Sequence, residues 1–179
     1  MKSSDATILI LPGVGGGGDE HWYVRWNTGL KTAERIALGD WCAPDRTAYV
    51  AAIASAVTRS DRPVVLVGHG IGALAAVHAA PGLPEGKVRG AFLAAVPDAA
   101  SAPDFHPVAR DPLPFPSLVL ASRTDPYCAF EVAEDLAAAW GARVVDLRES
   151  GHVDPDSGHG PWPEGLMTFG KFLQTLKPA

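Results

Sequence analysis

The sequence predicts an α/β fold: a single domain, residues 1–179, built on a mostly parallel sheet of about six strands with helices on both faces. Three observations predict it. Short apolar runs alternate with helix-like segments along the whole chain. The runs are unbroken rather than alternately polar and apolar, which marks strands covered on both faces. A helix-like segment separates most successive runs, as parallel strands require. At 179 residues the chain fits one domain and can bury a core without disulfides or a structural metal.

The elements follow in order. "TILILP" (7–12) is a buried strand stopped by Pro12-Gly13. "HWYVRWNTGL" (21–30) is a helix with Trp22 and Trp26 on one face. "RIAL" (35–38) is a weak strand. Residues 44–58 form a helix with Pro44 near its first turn and a stripe of Tyr49, Ile53 and Val57. "PVVLVG" (63–68) is a strong strand, and "IGALAAVHAA" (71–80) is a helix of small residues halted by Pro81-Gly82. "VRGAFLAAV" (88–96) is a strand. Residues 97–116 carry six prolines and no periodicity, so they form a long excursion inside the domain. "SLVLAS" (117–122) is a strand, and "AFEVAEDLAAAWG" (129–141) is a helix with Gly141 as its C-terminal stop. "ARVVDLR" (142–148) is the last strand and "PEGLMTFGKFLQTL" (163–176) the last helix.

Composition narrows the function. Apolar residues make up 47% and charged residues 20%, and the net charge is −5. With no cluster of lysine or arginine, this argues against a nucleic-acid partner. No run approaches the roughly 18 apolar residues of a membrane span. The first residues lack the apolar region of a signal peptide. Cys42 and Cys128 make no CxxC pair and read as two free thiols in a reducing compartment. The expectation is a soluble cytoplasmic protein, with no sequence feature that indicates a protein partner.

An open parallel sheet places its ligand site beyond the carboxyl ends of its strands. There, "VVLVGHGIGALAA" (64–76) has the form of a nucleophile elbow, Gly-x-Ser-x-Gly, between a strand and a helix. Gly70 stands where the serine belongs. Asp125 follows the fifth strand and His152 the sixth. Nucleophile position, acid and histidine thus occur in the order 70, 125, 152, the chain order of an α/β-hydrolase site. In such a site His152 takes the nucleophile's proton, and Asp125 fixes the imidazole tautomer and stabilises its cation. His159 shares the His152 loop and is the alternative base. His69 lies inside the elbow and reads as a packed or hydrogen-bonding neighbour; His21, His78 and His106 have no acid in a matching position.

Other chemistries fit less well. His152-x-Asp154-x-Asp156-x-x-His159 matches no zinc spacing, so no metal is expected. "LPGVGGGG" lacks the Lys-Ser/Thr of a phosphate loop and the acidic partner of a dinucleotide fingerprint, so no cofactor is expected. Its glycines better suit an oxyanion hole, with backbone N–H groups from around Val14 and Gly15 and from Ile71 at the helix start.

The sequence resembles the small serine hydrolases of the retinoblastoma-binding-protein-9 / YdeN-like family, within the α/β-hydrolase superfamily. The matching residues are "LPGVGGGGDEHWYVRW", "DWCAPDR", "LVGHGIGALAA", "GAFLAAVPD", "PLPFPSLVLASRTDPYC", "AAAWGARVVDL" and "SGHVDPDSGHGPWPEG", spread over essentially the whole chain. The resemblance implies an α/β-hydrolase core with no large lid domain and a Ser-His-Asp triad. Asp125 and His152 match the acid and base, and Gly70 departs from the pattern at the nucleophile.

Three readings of Gly70 stand side by side: an engineered inactivation, a natural binding protein, and a site where the Asp125–His152 pair activates water. A nucleophile relocated to Ser101 or Cys128 is the weakest alternative. The function expected is hydrolysis of a small carboxylic ester or related acyl compound, inactive or nearly so as written. The alternative is a pseudo-hydrolase that binds a small molecule or protein. Trp22, Tyr127 and Trp162, with Pro161 and Pro163, are candidates for an apolar substrate wall; the competing reading is that they only pack the core.

Overall fold

The computed structural model describes residues 1–38 and 40–177. Among the described residues six strands form one wholly parallel sheet: β1 (Thr7–Leu11), β2 (Ala33–Arg35), β3 (Val64–His69), β4 (Val88–Ala94), β5 (Ser117–Ala121) and β6 (Arg143–Asp146). Their spatial order is β2-β1-β3-β4-β5-β6. Among the described residues five α-helices connect them: α1 (Trp22–Gly29), α2 (Arg46–Arg59), α3 (Ile71–Ala79), α4 (Phe130–Ala139) and α5 (Pro163–Thr175).

Side-chain alternation along the strands builds two cores. Leu9, Leu11, Leu66, Leu93 and Val119 face one way, against Tyr49 and Ile53 of α2, Leu74 of α3 and Leu136 of α4. Ile8, Ile10, Val67, Phe92 and Leu120 face the other way, against Trp22 and Trp26 of α1 and Phe169 and Phe172 of α5. Every residue of β3 is buried. This explains its unbroken apolar run, because a central parallel strand has no wet face.

The second strand departs from expectation. It spans 33–35 rather than 35–38, pairing Ile8 with Ala33 and Ile10 with Arg35. It is an edge strand, and Glu34 and Arg35 are exposed. Its ladder is therefore polar. The apolar Ile36 and Leu38, which marked the strand in sequence, pack onto the core just beyond it.

The excursion at 97–116 is tied down rather than free. Ala102, Phe105, Val108 and Phe115 are buried in the core, and the Trp140 indole donates to the Ala109 carbonyl at 2.7 Å. The chain winds outward from β1 in both directions, to β2 on one side and β3 on the other. The crevice at the carboxyl ends of β1 and β3 is the switch point where such sheets bind ligands. It is bordered by Gly13 after β1 and Gly70 after β3.

Candidate active site

The turn between β3 and α3 has the geometry its sequence suggests. Gly70 has φ +56° and ψ −126°. Its N–H donates to the Ala94 carbonyl, and its carbonyl accepts from Ala73 N–H, both at 3.0 Å. The flanking glycines are there for space. A Cβ on Gly68 meets the Ala73 backbone at 2.7 Å, and one on Gly72 collides with the Leu11 and Pro12 carbonyls. Gly70 differs. A Cβ there meets only ordinary contacts, His152 Nε2 at 3.5 Å and Gly13 Cα at 3.7 Å. The outer glycines let helix and strand approach closely. The central position has room for a side chain, at the cost of its positive φ.

His152 and Asp125 meet across two loops. The His152 Nδ1 lies 3.0 and 3.1 Å from the two Asp125 carboxylate oxygens. A carboxylate accepts, so Nδ1 carries the proton and Nε2 presents its lone pair toward position 70. The Asp125 side chain is only 3% exposed, and its Oδ1 also accepts from Tyr127 N–H at 2.9 Å.

Ser122 and Thr124, which motif reading missed, hold these loops together, with His69 as the hydrogen-bonding neighbour expected. The Ser122 hydroxyl accepts from Ser150 N–H at 2.9 Å and donates to the Arg148 carbonyl at 3.1 Å. The Thr124 hydroxyl accepts from Gly151 N–H at 3.1 Å. The His69 ring bonds the His152 carbonyl at 2.9 Å, so Nε2 is its protonated nitrogen. Burial, then the neighbouring His152 and His21, pushes the His69 pKa down to about 3. Burial likewise lowers His21 to about 4. Both rings are therefore neutral at ordinary pH.

The glycine loop after β1 faces the elbow. Gly15 N–H donates to the Trp41 carbonyl at 2.7 Å and is committed there. Among the described residues, the N–H groups of Val14 and Ile71 meet no protein acceptor. Gly13, Val14, Gly70, Ile71, Tyr127 and His152 border one pocket of about 490 Å³.

Two expected wall residues are corrected. Trp22 and Trp162 do not line this pocket; they are 0% and 4% exposed and pack in the α1–α5 core. The apolar face of α1 turns toward the sheet, carrying Trp22 and Trp26 with it. With Pro161 and Pro163, these tryptophans border a separate apolar pocket of about 350 Å³. Trp22 serves the site from behind: its indole N–H donates to the Val153 carbonyl at 2.8 Å. Tyr127 is 48% exposed, lines the Gly70 pocket and stands 4.6 Å from the His152 ring.

The other candidates fall away. Cys128 is buried, and burial and then Asp98 push its thiol up to about 12. Ser101 lines the pocket, but among the described residues its hydroxyl bonds no histidine. His159 lies 3.5 Å from the Ser157 hydroxyl and is not joined to Asp125. Among the described residues no group of three or more His, Cys, Asp or Glu side chains is arranged to hold a metal, and no helix is long and apolar enough to cross a membrane.

Comparison with known proteins gives the chain a family and its fold relatives. The profile of the serine hydrolase family matches residues 8–171. A solved protein described as a YdeN-like hydrolase, from Pectobacterium atrosepticum, is 34% identical, with a TM-score of 0.89 over 95% of this chain and 91% of that one. The ydeN gene product of B. subtilis is 15% identical, with a TM-score of 0.76 over 95% of this chain and 100% of that one. The esterase domain of a Rhodothermus marinus protein is 15% identical, with a TM-score of 0.70 over 95% of this chain and 87% of that one. No curated protein matches the sequence.

Proposed function

This chain belongs to the serine hydrolase family, and we propose that its pocket binds small carboxylic esters or related acyl compounds while Gly70 disables the covalent step. One observation carries this reading. The Cβ position of residue 70 lies 3.5 Å from His152 Nε2, and Asp125 holds the far side of that imidazole. A serine hydroxyl placed there has its base within reach and its base already oriented. The reaction class is acyl transfer to water. Asp125 orients and His152 exchanges the proton. The N–H groups of Val14 and Ile71 receive the oxyanion, and Tyr127 forms part of the substrate wall.

The same glycine favours a second reading, a pseudo-hydrolase that binds without cleaving. At φ +56° glycine sits without the strain a serine carries. Kinetics of the Gly70→Ser variant on p-nitrophenyl acetate separate the two. Steady turnover well above that of the unaltered chain supports the disabled hydrolase. A folded Gly70→Ser protein that binds the ester and does not turn it over supports the pseudo-hydrolase.

A further inference from the structure

We propose that the chain with glycine at 70 hydrolyses activated esters slowly and without a covalent intermediate, with His152 activating a water molecule beside Gly70. This rests on the reading that the pocket binds acyl compounds.

Three features point to it. The first is direction. Asp125 takes the Nδ1 proton, so the basic lone pair of His152 is on Nε2 and faces position 70. The second is room. Among the described residues, the chain neighbours His69 and Ile71 apart, His152 Nε2 and Gly13 Cα are the atoms within 4 Å of the Cβ position of residue 70. The pocket of about 490 Å³ gives a water molecule and an acyl group space together. The Cβ position lies 3.5 Å from Nε2, so a water oxygen set a few tenths of an ångström closer to the imidazole than that position comes within the roughly 2.6–3.2 Å that general-base catalysis requires. The third is charge stabilisation. Val14 and Ile71, whose N–H groups have no protein acceptor among the described residues, both line the same pocket.

The step balances with no further reactant. The water oxygen bonds to the ester carbonyl carbon as its proton passes to His152 Nε2. The carbonyl π pair moves onto oxygen, where the two backbone N–H groups receive it. On collapse the carbonyl re-forms and the C–O bond to the alcohol breaks. The alcohol oxygen takes the proton from Nε2, so His152 ends neutral, as it began. The products are the carboxylic acid and the alcohol, and nothing is oxidised or reduced. The route is slow because a free water lacks the fixed placement of a tethered hydroxyl. Of the other groups on or beside the pocket, His69 is held neutral by burial with its Nε2 N–H bound to the His152 carbonyl, and Cys128 is buried off the pocket.

The test uses the full chain, p-nitrophenyl acetate and phenyl acetate. The expected result is burst-free hydrolysis, roughly 10²-fold faster than that of His152→Ala. Its rate depends on the leaving group, because no common acyl-enzyme forms. Gly70→Ala puts a methyl group where the water stands and drops the rate to the His152→Ala level. Should Gly70→Ala not fold, the His152→Ala comparison and the leaving-group dependence carry the test. A rate equal to that of His152→Ala overturns the proposal, as does a one-equivalent burst. Gly70→Ser separates this failure from failure of the functional reading. An active Gly70→Ser protein beside a silent parent chain removes only the water route. A parent chain with His152-dependent turnover beside an inert Gly70→Ser protein removes only the tethered-hydroxyl reading.

Discussion

The Trp22 indole holds the Val153–Asp154 peptide just beyond His152, its N–H donating to the Val153 carbonyl at 2.8 Å. Val153 is fully buried and has φ +55°, a conformation β-branched residues rarely adopt. The bond therefore anchors a strained peptide one residue from the candidate base. Trp22→Phe leaves that buried carbonyl unpaired, which costs about 1–3 kcal/mol. In a Gly70→Ser background, kcat for p-nitrophenyl acetate falls while KM stays near its starting value. Urea unfolding and steady-state kinetics check the two effects. A change confined to KM contradicts this positioning role.

The three glycines of the elbow predict unequal tolerance. Gly72→Ala drives a Cβ into the carbonyls of Leu11 and Pro12, backbone atoms that cannot yield cheaply. Gly70→Ser meets no such contact and bears only the strain of positive φ, on the order of 1–3 kcal/mol. Thermal unfolding of the two variants checks the order. Gly72→Ala is expected to be the less stable, and the reverse order contradicts the elbow geometry.

Buried neutral histidines make stability fall in mild acid. Burial lowers the pKa of His21 to about 4 and of His69 to about 3 in the fold, against the ordinary imidazole value of 6.5. The unfolded chain therefore takes up protons first. Their contribution is complete above pH 6.5 and is lost as pH falls toward the folded values. Each costs on the order of 1.4 kcal/mol per pH unit in that window. Urea midpoints measured from pH 7 to pH 5 check this. His21→Phe flattens the slope, and an unchanged slope contradicts the assignment.

Asp125 matters through the imidazole it holds. In a Gly70→Ser background, Asp125→Asn replaces a carboxylate that only accepts by an amide; with its oxygen kept by Tyr127 N–H, its NH2 faces Nδ1 and favours the wrong imidazole tautomer. The kcat is expected to fall roughly 10⁴-fold with the pocket intact. Steady-state kinetics and binding of an unreactive substrate analogue check this. A loss of binding equal to the loss of rate contradicts the role.

Most of the fold was legible because central parallel strands must be apolar throughout. β2 was misplaced because an edge strand need not be, and the apolar marks fell on Ile36 and Leu38 beyond its end. The order 70, 125, 152 was legible because each residue follows its own strand, and strand ends converge in space. Trp22 and Trp162 were less readable. Neighbouring a loop in sequence says nothing of which way a ring turns, and the face of α1 is chosen by packing on the sheet. The Ser122 and Thr124 struts left no pattern at all. Their hydroxyls meet backbone groups more than twenty residues away, a match that only the folded loops create.

The most direct measurement is fluorophosphonate labelling of Gly70→Ser, followed by intact and peptide mass spectrometry. The probe reports an activated serine whatever the natural substrate is. The account predicts one adduct, on the introduced serine. It also predicts that the adduct disappears when His152→Ala is added, because an unassisted hydroxyl is a poor nucleophile at neutral pH. A folded Gly70→Ser protein that takes no label contradicts it. So does labelling that proceeds equally well without His152.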